Sequence, residues 1–383
     1  MRPGIYSNIP KTKAGAEHWL NGPLPQSLGD KLRAIADYTD AATIGADSYG
    51  SSDWFAGAER TMARMLAQES ALFFPTGAMA QQLALRLHCE RAESERFAMH
   101  PTCQLEINEH HAYRYLHRLE AVLVGEPYEC LRASDLAELN TDVAALVVEL
   151  PMRQLGGLAP TFADLEALLD TARSACLRLH LDAARLLEVC PFYERDAAAL
   201  AGMFDTVYLS CYKGLGGLGG AILAGSEETI EWMRPWRRRQ GGEVKIMTPY
   251  LASAMQNLDE HLLRVGDWWQ RAKAIAAMFN QQPGLSTRPL VPQCNMFHLD
   301  FAYTAETILA ARDRVLEKTG VWLFDFVHEP GGDRLPMTEI PVQTAAMSLP
   351  DDRLSSAIRC FVDALTPTTC VTGGRGPGVS KNT

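Results

Sequence analysis

"LSCYKGLGGLGGAILAG", residues 209–225, sets one lysine ahead of a run of glycines, and how it is read decides the fold. Gly214, Gly216 and Gly219 satisfy the G-x-G-x-x-G spacing of a dinucleotide-binding turn. Such a turn has to open a helix, so that a pyrophosphate meets the helix N-terminus. Here the glycines run into "GAILAG", which is apolar, strand-like and closed by another glycine. The predicted order is therefore strand, lysine, glycine turn, strand, and the nicotinamide or flavin reading is set aside. Lys213 becomes the point of interest. A lysine at the end of a buried strand, kept from water by a tight turn, can lose enough basicity to act as an amine nucleophile. A surface lysine in a hairpin is the plain alternative, and this segment alone favours it.

The balance changes one strand upstream. "LHLDAARL" (179–186) puts Asp182 at the C-terminal end of an apolar run, with Arg185 three residues later. An isolated carboxylate is costly to bury, so it needs a cation. The protonated ring nitrogen of pyridoxal phosphate is such a cation, and that cofactor needs an acid there to remain an electron sink. Capping of the following turn is the other reading of Asp182.

Further out, "SALFF" (70–74), "VAALVVEL" (143–150), "CLRLHL" (176–181) and "TVYLSCY" (206–212) are nearly continuous apolar runs. They fit strands buried on both faces of a parallel sheet. Helical periodicity lies between them, as in "TFADLEALLDTARSA", so an α/β doubly wound domain is expected. A long helical stretch begins at "TPYLASAM", after which "CNMFHLDF", "AETILAARDRVLEK" and "DDRLSSAIRCFVDAL" suggest a small α+β domain. The expected organisation is an extended arm over 1–30, a large domain over 31–255, a small domain over 256–366 and a disordered Gly-rich tail over 367–383.

Composition narrows the function. A chain of 383 residues with 47% hydrophobic content can bury a large core. A formal charge of -10 argues against nucleic acid and against a polybasic membrane anchor. No apolar run approaches the roughly 18 residues of a spanning helix, and "MRPGIYSNIPKTKAG" has no signal-peptide core. Nine scattered cysteines without CxxC or Cys/His ligand spacing point to reduced thiols, a cytoplasmic location and no structural metal.

Together the two motifs resemble a known family. His180-Leu181-Asp182-Ala183-Ala184-Arg185 followed by Ser210-Cys211-Tyr212-Lys213-Gly214-Leu215-Gly216 is similar to the threonine aldolase branch of the β-eliminating lyases. Those enzymes have the fold-type I pyridoxal phosphate architecture, a mostly parallel sheet sandwiched by helices with a small C-terminal domain. The similarity runs in order from about residue 45 to 365.

The resemblance implies a role for each matching residue. Lys213 would carry pyridoxal phosphate and Asp182 would face its ring nitrogen. Thr76, Gly77 and Ala78 of "FFPTGAMAQQ" would cup the phosphate at a helix N-terminus, although the family writes threonine where Ala78 stands. His111 of "NEHHAYRY" would stack on the ring. Arg238 and Lys245 of "PWRRRQGGEVK" would reach the phosphate from a neighbouring subunit, and Tyr49 of "DSYGSSDWFAGAE" would line the substrate side in the same way. A homodimer or homotetramer with shared sites is implied. Arg185 would take the carboxylate of a small amino-acid substrate.

Two departures bear on the reaction. In "VVELPMRQLGGLAP" the family's hydroxyl-touching histidine falls on Met152, which cannot take a proton. In "EIPVQTAAMSLPDD" proline stands where the family has a carboxylate-gripping arginine, and "WLNGPLP" is the nearest equivalent of its N-terminal S-D-T signature. Arg153 can supply the second fork, while bound water, His111 or another residue has to act as base. The expected activity is cleavage of a β-hydroxy-α-amino acid such as threonine to glycine and an aldehyde. A β-eliminating or deaminating lyase acting on another amino acid is the alternative, and a cofactor-binding protein without turnover is a third.

Overall fold

A computed structural model describes residues 15–137, 139, 142–329 and 334–365. Its centre is a seven-stranded sheet: β1 Ser70–Phe74, β2 Arg96–Met99, β3 Glu120–Leu123, β4 Val143–Glu149, β5 Arg178–Asp182, β6 Thr206–Ser210 and β7 Ala221–Gly225. The spatial order is β1-β7-β6-β5-β4-β2-β3. Only β7 runs against its neighbours; the remaining strands share one direction. The apolar runs are strands because both faces of this sheet are covered by helices, so alternation would leave polar groups dry. Every residue of β6 and β7 is buried.

The glycine segment resolves as expected. β6 ends at Ser210, the turn spans 211–220, and β7 returns antiparallel. Gly220 has φ +91°, and a Cβ there would lie 2.3 Å from the Phe73 ring. The glycines shape a turn rather than cradle a pyrophosphate. Leu218 N–H donates to Ser253 Oγ at 2.8 Å, and Asn257 Nδ2 donates to Leu215 O at 2.8 Å, docking the turn on the long helix behind it.

Four helices position the site: α1 Leu28–Ala41, α2 Gly77–Arg91, α3 Gln104–Ile107 and α4 Thr248–Asn280. A second sheet, β8 Leu285–Arg288, β9 Met296–Phe301 and β10 Met337–Pro341, is antiparallel with β9 in the middle. It builds its own apolar core with Phe279, Phe301, Phe324 and Phe361. Helix α4 serves both cores, through Leu251 and Leu258 in the first and Ile275 and Phe279 in the second. The expected boundary at 255/256 falls inside this helix. Of the expected arm, residues 1–14 lie outside the described residues, as does the tail 367–383. His18–Trp19 pairs in parallel with Val321–Trp322, which ties the described part of the arm to the second core.

Candidate active site

Parallel strands carry their functional groups to one edge, the C-terminal one. Here register does the placing. Asp182 pairs with Glu149 on β4 and with Tyr208 on β6, and Lys213 follows three residues after β6 ends. Lys213 lines three cavities at once. One, of about 370 Å³, holds Thr76, Gly77, Ala78, Gln104, Glu109, Tyr208 and Gly220. A second, room for one water, is walled by Gln104, Glu149, Arg153, Asp182 and Arg185. A third, of about 440 Å³, opens toward Tyr38, His261, Trp268 and Gln343.

Asp182 is 1% exposed. Its Oδ1 accepts from Ala184 N–H at 3.0 Å, while Oδ2 makes no close hydrogen bond among the described residues, the Gln81 amide being the carboxyl's other polar neighbour. Burial raises its pKa, and the Lys213 charge opposes that rise. Lys213 is in turn held below the ordinary lysine value, first by burial and then by the Arg185 and Arg153 charges, with Asp182 and Glu149 pulling the other way. The helix-cap reading of Asp182 accounts for one oxygen only. The other is a buried acceptor waiting for a donor.

In the 370 Å³ cavity, Thr76 is the N-cap of α2, its Oγ accepting from Met79 N–H at 3.3 Å. The cap reading and the phosphate reading are compatible, because a capping hydroxyl keeps its own hydrogen to donate. Gly77 has to be glycine: a Cβ there would fall 2.3 Å from Tyr208 Oη. Ala78 adds no hydroxyl, so the cup consists of backbone N–H groups plus Thr76.

The arginine end differs in character. Arg153 Nε donates to Glu339 Oε2 at 2.8 Å. Arg185 Nη1 donates to Glu188 Oε1 at 3.3 Å, and its Nη2 lies 3.7 Å from Glu339 Oε1. Glu339 therefore sits between the two forks, and Arg153, Arg185 and His298 hold its pKa down against burial. Glu339 belongs to the stretch where the family places its arginine. That stretch also meets "WLNGPLP": Leu24 N–H donates to Thr344 Oγ1 at 3.0 Å, and Gly22 N–H to Pro341 O at 2.7 Å. Pro23, Leu24, Gln343 and Thr344 share the 440 Å³ cavity with Lys213 and bring no charge to it.

Lys213, Asp182, Thr76, Gly77, Ala78, Arg185 and Arg153 are thus brought together. His111 is not. His110 and His111 both adopt positive φ, 52° and 54°, immediately before the helix Ala112–His117. That double turn carries the His111 imidazole outward, 46% exposed, to 3.3 Å from both Tyr113 Oη and Glu106 Oε2. It lines none of the three cavities at Lys213. Two residues earlier in the same loop, Glu109 points to the cleft instead. Met152 is buried within the 152–158 turn and lines none of them either.

Tyr49, Arg238 and Lys245 lie outside these cavities within one chain. Arg238 is 74% exposed and pairs with Glu243 at 2.6 Å. Tyr49 N–H donates to Lys245 O at 3.0 Å, and Lys245 Nζ stands 4.8 Å above the Tyr49 ring. The middle arginine of the cluster, Arg237, is structural, with Nη1 donating to Phe73 O at 2.8 Å. Glu109, Glu149 and Glu339 stood within quoted motifs without a role, and Glu188 was missed.

The β-eliminating lyase family model matches residues 28–302. A solved structure from Exiguobacterium, provisionally described as an aromatic amino acid β-eliminating lyase/threonine aldolase, is 36% identical. It superposes with TM-score 0.87 over 91% of this chain and 98% of its own. A Listeria monocytogenes structure, provisionally an L-allo-threonine aldolase, is 34% identical with TM-score 0.87 over 91% and 97%. The low-specificity L-threonine aldolase 1 of Arabidopsis thaliana is 24% identical over 275 residues, 69% of this chain and 76% of that protein. The chain belongs to the β-eliminating lyase family.

Proposed function

We propose that the protein is a pyridoxal phosphate-dependent lyase that cleaves a β-hydroxy-α-amino acid such as threonine to glycine and an aldehyde. The observation that carries the reading is the unsatisfied Asp182 Oδ2, buried beside an amine whose pKa is depressed. A buried acceptor of this kind is costly unless a donor arrives, and the pyridinium N–H is such a donor. The threonine aldolase names of the relatives support the same reading.

When bound, the cofactor supplies an electron sink for the pair released at the substrate Cα. The chain does the rest. Lys213 would anchor the cofactor through its aldehyde, Asp182 would keep the ring nitrogen protonated, and the α2 N-terminus with Thr76 would hold the phosphate. Arg185 and Arg153 orient the substrate carboxylate. By fixing that group they would set which bond at the substrate Cα is presented for cleavage. The β-eliminating reading survives as the second one because Met152 removes the expected acid–base group.

Tyr49, Arg238 and Lys245 would then act on a neighbouring subunit's site. The exposed Tyr49–Lys245 pair, flanked by half-exposed Val244 and Ile246, supports this. A homodimer or homotetramer follows, and mixing Lys213→Ala with Lys245→Ala protein should restore part of the activity that neither has alone. The division into domains over 31–255 and 256–366 belongs to the same proposal, as does a cytoplasmic location, which the eight free thiols among the described residues support. No described helix is long and apolar enough to cross a membrane.

Assaying β-hydroxy amino acids for aldehyde against keto acid tests the function. Aldehyde with equimolar glycine supports it; keto acid and ammonia alone would replace it with the second reading.

A further inference from the structure

We propose that Glu109 is the catalytic base that removes the β-hydroxyl proton of the substrate. The proposal rests on the aldolase reading. In that reaction the O–H proton passes to the Glu109 carboxylate, and the O–H electron pair becomes the second bond of the aldehyde. The Cα–Cβ bond breaks, leaving its pair at Cα, where a proton completes glycine. One proton moves from oxygen to carbon, so no oxidant or co-reactant is required.

The sequence left this position open, because Met152 replaces the expected histidine, and in the structure His111 turns away. Among the described acids at Lys213, elimination is possible. Asp182 is committed to the ring nitrogen in this reading. Glu149 accepts from Arg153 N–H at 2.9 Å and from Gln104 N–H at 3.3 Å, one on each oxygen. Glu188 and Glu339 are held by the arginines. Glu109 alone of these shares the 370 Å³ cavity with the phosphate cup and Lys213; the Gln82 amide is the polar neighbour of its carboxyl, and its buried Oε2 makes no close hydrogen bond among the described residues. Its surroundings are Gln82 on α2, Cys103 and Gln104 at α3, Asp182 on β5, Tyr208 on β6, and Lys213. Burial, then the Asp182 charge, pushes its pKa up to about 7, with Gln82 and Lys213 opposing. A base poised there is effective near neutrality. His261 is the competitor. It packs under the lysine turn, where a Cβ on Gly214 would come within 2.6 Å of its ring, and lies edge-on to Trp268.

The test uses the holoenzyme with Glu109→Gln, Glu109→Asp and His261→Gln. Glu109→Gln should lower kcat for a β-hydroxy amino acid by about 10²–10⁴-fold with KM little changed, and should erase the acid limb of the pH–rate profile. Exchange of the glycine α-proton in deuterated water needs no hydroxyl base and should stay within a few-fold of the parent. Glu109→Asp should recover part of the loss, and His261→Gln should keep the acid limb. A readout independent of turnover is thermal unfolding of the cofactor-free proteins. A carboxyl whose folded pKa is raised loses stability as pH climbs from its unfolded value through about 7. The parent should therefore lose ground to Glu109→Gln between pH 5 and pH 8. Cleavage and exchange falling together, unaltered cleavage, or loss of the acid limb in His261→Gln instead would each overturn the proposal. A parent that releases no aldehyde from any β-hydroxy acid would sink the aldolase reading itself, a result distinct from these.

Discussion

The two ends of the cleft treat buried charge in opposite ways. Among the acids at the ring end, Asp182 Oδ2 and Glu109 Oε2 are buried acceptors with no close hydrogen bond among the described residues, the Gln81 and Gln82 amides being their polar neighbours. At the arginine end, Arg153 and Arg185 already hold Glu339 and Glu188. An unpartnered buried acceptor costs on the order of 1–3 kcal/mol, and a ligand that supplies the donor recovers it. An internally paired arginine costs less in the empty protein, and a ligand must compete with the resident carboxylate. The ring end is thus built to be filled, while the arginine end is built to be exchanged.

Substitutions can break this contrast in decreasing order. Lys213→Ala should reduce turnover to background while circular dichroism shows the fold intact; a near-parent rate would remove Lys213 from the chemistry. Asp182→Asn should lower kcat on the order of 10³-fold by no longer favouring a charged ring nitrogen. It should also stabilise the cofactor-free protein, because a raised carboxyl pKa is removed. Arg153→Ala should raise KM roughly tenfold or more with a smaller change in kcat, the worth of one charged hydrogen bond. An unchanged KM would take Arg153 out of the carboxylate site. Glu339→Gln sharpens the contrast with the smallest change: freeing the forks should lower KM for the amino acid several-fold. A higher KM would mean that Glu339 aligns Arg153 rather than competing with its ligand.

The buried histidines set a limit on absolute pH slopes. His88, His180 and His298 are each held near 3 by burial, so they withdraw stability as pH falls below the usual histidine range. Differences between parent and variant isolate the carboxyl contribution.

What the sequence revealed follows from physics that is local. A strand buried on both faces reads as an apolar run, so β4, β5 and β6 could be placed within a few residues, and with them Asp182 and Lys213. The lysine–glycine turn was legible because "AILAG" has strand rather than helix character. Glu339 was not legible. Its meeting with Arg153 spans 186 positions and depends on where the antiparallel sheet presents β10. That Glu109 rather than His111 lines the cavity at Lys213 was hidden for a different reason. Alignment can place a loop but not its dihedral angles, and two consecutive left-handed residues decide which of the two side chains enters the cleft.

Borohydride reduction of the pyridoxal phosphate-loaded protein, followed by peptide mass analysis, tests the central claim most directly. A single pyridoxyl adduct on the peptide bearing Lys213, weakened in Asp182→Asn, is the predicted result. An adduct confined to another lysine, or none after saturation with the cofactor, would contradict it.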